Sequence, residues 1–135
     1  MNINQNIYYT KHKNLNKIDS KKLQLQFLPE MMKFSQALDI SRNEPLLIAK
    51  KGNNVMAYAS LELHPNTIEI FLLEVVPKHR KKGVGKAVLQ RISKLAKNKN
   101  KSKVILFSTP AAKNYYKSQG FQSQKDRNHK MYKMV

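Results

Sequence analysis

The sequence predicts an α/β (α+β) domain: one mixed, mostly antiparallel twisted sheet of six or seven strands, with about four helices. Three observations carry this. Between Leu46 and Val76, three β-rich apolar runs alternate with short turns bearing Gly, Asn and Pro, the signature of an antiparallel meander. Val84, Val88, Ile92 and Leu95 then recur at i, i+4, i+8 and i+11, one apolar stripe along a helix. After that helix, Val104-Ile105-Leu106-Phe107 is a continuous apolar run of the kind that forms a buried strand. Strand, helix and strand in that order imply a parallel pair joined by a right-handed crossover. With 135 residues, 41% of them hydrophobic, the chain suits one core and a single domain over 1–135.

Taken in order, residues 2–10 alternate loosely (Ile3, Ile7, Tyr9) and read as a short first strand. Leu15, Ile18, Leu23 and Phe27 fall at helical spacing, so 15–27 reads as a helix, broken at Leu28-Pro29-Glu30. Pro29 suits the first position of a second helix, whose face carries Met31, Phe34 and Leu38. Arg42-Asn43-Glu44-Pro45 is a turn. The meander strands are Leu46–Lys50, Val55–Leu63 and Thr67–Val76, with turns at 51–54 and 64–66. The long helix runs from Val84 to Lys97. Thr109 and Pro110 supply the cap and first position of another helix, and Gly120 its end. Phe121–Gln124 and Lys130–Met134 form a last hairpin.

The chain has no cysteine, which excludes disulfides, thiolate nucleophiles and cysteine-based metal sites. Four histidines (His12, His64, His79, His129) show no ligand spacing, so no metal is expected. No apolar run approaches the ~18–20 residues of a membrane span, and the first residues lack a charged-then-apolar leader. A cytoplasmic location without membrane contact is expected. The net charge of +18 favours polyanions such as RNA or an acidic protein. The excess of lysine over arginine, with abundant asparagine, is equally what an A/T-biased coding sequence produces.

The informative stretch joins the third meander strand to the long helix. Val75-Val76-Pro77-Lys78-His79-Arg80-Lys81-Lys82-Gly83-Val84-Gly85-Lys86-Ala87 holds two glycines among five cations and a histidine, at the start of a helix. Such a start presents unpartnered N–H groups and positive dipole charge to an anion. A Walker loop is excluded, because Ala87 stands where a metal-binding hydroxyl is needed. A dinucleotide fingerprint is excluded by Val88 and by the absence of any acid in residues 98–112. What remains is Arg-x-x-Gly-x-Gly (Arg80 to Gly85) after Val-x-Pro (Val75 to Pro77), or else a solvated basic turn. The pattern resembles the acetyl-CoA diphosphate loop of the GNAT superfamily of N-acetyltransferases. Ala112-x-x-x-Tyr116-x-x-x-Gly120-Phe121 resembles that family's second signature, and the order of elements matches its fold over essentially the whole chain.

The resemblance implies transfer of an acetyl group from acetyl-CoA to an amine. It implies cofactor contacts from Arg80, Lys81, Lys82, Gly83, Val84, Gly85 and Lys86 at the loop, and from the backbones of Leu73, Val75 and Val76 beside a strand bulge. Thr109 stands where many relatives carry Asn. Tyr116 falls on the tyrosine that protonates the departing sulfur, and neighbouring Tyr115 reads as a core residue. Only eight acids exist in the chain. Two of them, Glu69 and Glu74, lie on the central strand, on opposite faces if the strand alternates regularly. Glu69 precedes Gly83 by the interval of the catalytic glutamate in histone-acetylating relatives, and it also reads as an ordinary strand acid. The acceptor is a primary amine of a protein, peptide or small molecule. The alternatives are an RNA-directed enzyme acting on aminoacyl-tRNA, or a non-catalytic acyl-CoA- or nucleic-acid-binding module. Oligomeric state is not readable from the sequence.

Overall fold

The computed structural model describes residues 6–11, 14, 15, 17–19, 21, 45–127 and 129–135. Seven strands form one sheet in the order β1-β2-β3-β4-β5-β7-β6. They are β1 (Ile7–Lys11), β2 (Pro45–Lys51), β3 (Asn54–Leu63), β4 (Thr67–Val75), β5 (Lys103–Phe107), β6 (Gln122–Ser123) and β7 (Lys130–Met134). The helices among the described residues are α1 (Val84–Asn98) and α2 (Lys113–Ser118). Strand and helix bounds follow the sequence expectation to within a few residues. The first strand is described over Ile7–Lys11, and residues 2–5 of the expected strand lie outside the described residues. The two early helices and the turn before Pro45 lie outside the described residues, apart from 15, 17–19 and 21; residues 17–19 and 21 are helical. Among these helical residues Asp19 is buried, accepts a hydrogen bond from the Tyr8 hydroxyl and pairs with the Lys50 ammonium at 2.8 Å.

Every strand pair is antiparallel except β4 with β5. The exception follows from the chain path, since α1 carries the chain back across one face before β5 begins. Its stripe, Val84, Val88 and Ile92 with Ala96, is buried against Leu47, Ala57, Ala59, Leu61, Ile68, Ile70, Val104 and Leu106. Burying Val88 and Ile92 fully stabilises the fold by roughly 1.5–3 kcal/mol each. The opposite face buries Leu46, Ile48, Val55, Tyr58, Leu72 and Val76.

One irregularity in β4 determines what happens at its far end. Ile70 pairs with Leu61 and Leu72 with Ser60, so Phe71 is an extra residue with no partner on β3. A bulge of this kind resets the side-chain alternation by one. Ile68, Ile70, Leu73 and Val75 therefore all join the α1 face, while Leu72 joins the other. The same reset corrects the placement of the two glutamates. Glu69 and Glu74 share one face, because the odd interval between them contains the bulge. Pairing of β4 with β5 also ends there, at Ile70 with Leu106, so the two strands part and leave one edge of Phe71–Val75 open.

Candidate active site

A cavity of about 840 Å³ opens where β4 and β5 part. This is within the range that takes a cofactor-sized ligand. One wall is the end of β4, from Leu73 to Val75; the loop after it and the start of α1 make the floor, and the 3₁₀ turn and α2 close the third side.

The loop is built to present the helix start. Pro77–His79 forms a single 3₁₀ turn. Lys81 (φ 62°) and Gly83 (φ 81°) then take left-handed backbone, and Gly83 caps α1. Glycine adopts this at no steric cost, whereas Lys81 holds it at a cost of about 1 kcal/mol or more. The first bond of α1 runs from the Ala87 N–H to the Gly83 carbonyl at 3.0 Å. The N–H groups of Val84, Gly85 and Lys86 therefore have no intrahelical partner. Together with the helix dipole, they make this end attractive to an anion.

Of the residues expected at the cofactor, Leu73, Val75, Arg80, Lys81, Gly83, Gly85, Lys86, Thr109 and Tyr116 all line the cavity. Three do not, each for a physical reason. Val76 spends its N–H on the Met56 carbonyl at 2.8 Å and its side chain on the core. Val84 buries its side chain under the sheet, so only its backbone faces the loop. Lys82 points to solvent. Arg80 turns back on the protein: its Nε donates to the Val75 carbonyl at 3.0 Å, and a terminal nitrogen stands 4.0 Å from Glu74. It therefore ties the loop to the end of β4.

Thr109 caps the 3₁₀ turn Pro110–Ala112, its Oγ1 accepting from the Ala112 N–H at 3.3 Å. Gly120 (φ 94°) ends α2, and the Phe121 N–H returns to the Tyr116 carbonyl at 3.1 Å. These two ends aim the tyrosines. Tyr116 packs edge-to-face on Phe121, at 5.8 Å between centroids, while lining the cavity. Burial pushes its pKa up to about 12, with smaller contributions from Tyr115 and the Glu74 carboxylate. The phenol is thus protonated throughout the physiological range. Tyr115 reverses the sequence expectation: it is 42% exposed and lines the cavity, and Tyr116 is the one that reaches the core. A short helix entered through a 3₁₀ turn rotates the pair away from the phase that a regular α-helix predicts.

Glu69 lies outside the cavity lining, towards the start of β4. Its Oε1 is 3.2 Å from His64 Nε2, and Glu62 is its direct cross-strand neighbour. One ligand-type atom from each of Glu62, His64 and Glu69 lies within 4.8 Å of the others. Sequence spacing could not show this grouping, because a turn and a strand pairing create it. Glu74, by contrast, is on the cavity wall. So is His79, whose pKa is lowered by burial and then by Lys78, Lys82 and Lys51, so it favours the neutral imidazole.

A family model described as "Acetyltransferase (GNAT) family" matches residues 12–121. Among solved structures, the chain is similar to Tetrahymena GCN5, with TM-score 0.76 and 14% identity over 95% of this chain and 96% of that one. It is similar to a GNAT family acetyltransferase from Elizabethkingia anophelis with acetyl-CoA bound, with TM-score 0.69 and 22% identity over 96% and 99%. It is also similar to the PaiA N-acetyltransferase of Thermoplasma acidophilum in complex with coenzyme A, with TM-score 0.67 and 15% identity over 96% and 99%. At these identities the likeness is one of fold. No curated protein sequence matches the chain.

Proposed function

The chain belongs to the GNAT acetyltransferase family, and from that premise we propose that it transfers an acetyl group from acetyl-CoA to a primary amine. The observation that carries this is the cavity itself. It joins an open strand edge to a helix start with three unpartnered N–H groups, flanked by Lys81 and Lys86, with a protonated tyrosine beyond. These features fit a long ligand with an anionic diphosphate at one end and an apolar arm at the other. Gly85 supports the fit, because it keeps the first turn of α1 free of a side chain on the cavity side.

Acetyl-CoA supplies the activated thioester. The open edge of β4 at Leu73–Val75 aligns the arm of the ligand by backbone pairing, and Thr109 offers a hydroxyl on the facing side. Tyr116 is the acid of this reading: it returns a proton to the sulfur as the carbon–sulfur bond breaks and the carbon–nitrogen bond forms. Its pKa of about 12 is further from a free thiol's ≈ 8.5 than an ordinary phenol's, but the same desolvation raises the thiol in an apolar cleft and narrows the gap. Glu69 is the base, taking the surplus amine proton through water, with His64 at 3.2 Å to orient its carboxylate. The acceptor is a protein, peptide or small-molecule amine.

The test is calorimetric titration with acetyl-CoA of the wild type and of Gly85→Glu. The expected result is binding by the wild type that the variant loses at least a hundredfold, since Glu places a carboxylate on the anion seat. No binding by the wild type would sink the proposal.

A further inference from the structure

Tyr115 faces the cavity, and its position bears on a residue in the first turn of α1. A Cβ built on Gly85 would stand 2.7 Å from the Tyr115 hydroxyl oxygen, a distance that real Cβ atoms do not show. The ring carbon bearing that hydroxyl would be at 3.7 Å, so only the oxygen is in conflict. Gly85 lies within α1 and its φ is not positive, so conformation does not demand glycine there. What a side chain there would meet is the end of the Tyr115 side chain. The hydroxyl thus lies against the one turn of α1 whose N–H groups have no intrahelical partner, and it makes no hydrogen bond among the described residues.

We infer that Tyr115 is a further cofactor-positioning residue: its hydroxyl donates to the diphosphate held at the start of α1, and Gly85 is glycine so that this phenol can approach. The inference rests on the acetyl-CoA reading above. A phenol adds what the neighbouring lysines lack. Lys81 and Lys86 attract an anion but sit on flexible stems, whereas the Tyr115 ring is held edge-to-face against Tyr116 at 5.3 Å between centroids. Burial raises the Tyr115 pKa, so the hydroxyl remains a donor at working pH. The ring contact also couples the two ends of the cleft, because the phenol that positions the diphosphate braces the phenol proposed as acid.

The first experiment compares wild type and Tyr115→Phe in calorimetric titration with CoA, and in the phosphorus NMR spectrum of the bound ligand. Loss of one charge-assisted hydrogen bond is expected to weaken binding about tenfold. The diphosphate resonances should move and the 3′-phosphate resonance should not, with the melting temperature little changed. CoA binding by Tyr115→Phe within twofold of wild type, with unshifted diphosphate signals, overturns the inference and leaves the proposed function standing. No CoA binding by the wild type overturns both. A second measurement needs no ligand. Alanine is otherwise favoured over glycine in a helix. Gly85→Ala should therefore raise the melting temperature more in the Tyr115→Phe background than in the wild type. Equal gains in the two backgrounds would show that the hydroxyl does not lie over Gly85.

Discussion

The two ends of β4 are satisfied in different ways. At its start, Ile68–Ile70 is paired on both sides, to β3 and to β5, and the turn before it is tied down by its surroundings. The Lys101 ammonium donates to the His64 carbonyl at 2.7 Å and to that of Pro65 at 3.3 Å, and the Ser102 N–H donates to the Asn66 carbonyl at 2.8 Å. At its end, past the bulge at Phe71, the strand is paired on one side only and opens onto the cavity. The backbone groups of the start are met by protein, and at the end the edge facing β5 is left without a strand partner, Arg80 covering the Val75 carbonyl alone. The charges differ too: Glu62 and Glu69 sit at the closed start beside Lys101, and Glu74 shares the open end with Lys81, Lys86 and the α1 dipole. One inserted residue separates an end paired on both sides from an open one.

If the open end carries the chemistry, Tyr116→Phe should do the most damage. Turnover on the best acceptor of an amine screen is expected to fall about 10²–10³-fold, while CoA affinity stays within twofold. The same variant reads out the raised pKa. A phenol whose folded pKa is about 12, above the ordinary 10, contributes stability that is intact below pH 10 and lost as pH rises through 12. Melting scans from pH 9 to 12 should be less steep in Tyr116→Phe than in the wild type. Turnover unchanged in this variant would remove Tyr116 as the acid.

Glu69→Gln asks whether the closed end takes part. About a hundredfold loss of turnover is expected, with the alkaline rise of the pH–rate curve flattened and CoA binding unaffected. Kinetics like those of wild type would return Glu69 to a purely structural place beside His64. The work of a base would then pass to Glu74, and Glu74→Gln is the variant to measure next.

Lys101→Met is the mildest change and isolates the rigidity of the start. Removing the donor to two turn carbonyls should cost about 1 kcal/mol, a fall of a few degrees in melting temperature, with CoA affinity unchanged. A loss of CoA affinity would mean that the two ends are mechanically coupled and the division drawn here is false.

Much of this architecture was legible in the sequence because its signals are local. Turn residues at 51–54 and 64–66 mark the meander, the spacing of Val84, Val88 and Ile92 marks α1, and Gly83 marks the left-handed cap. The glycine loop proposed for the diphosphate was legible as a loop for the same reason, since strand, loop and helix start are contiguous. Tyr115 was misread because its phase depends on the 3₁₀ entry to α2, which shifts the helical angle without changing composition. The shared face of Glu69 and Glu74 was missed because a bulge leaves no residue signature at Phe71. Glu62, His64 and Glu69 come together only through the β3–β4 register, and His64 alone gives no hint of it.

By itself, then, the sequence determined which of the described segments are strands and helices, where the glycine loop and its helix start lie and which tyrosine carries the family signature. These depend on periodicity, caps and turns, whose physics acts over a few residues. The tertiary structure decided which strand edge stays open, which face each glutamate occupies, that Tyr115 joins Tyr116 at the cavity and which side chain stands against Gly85. These depend on register and on the approach of α2 to α1, distances that residues far apart in the chain establish only once the sheet has formed.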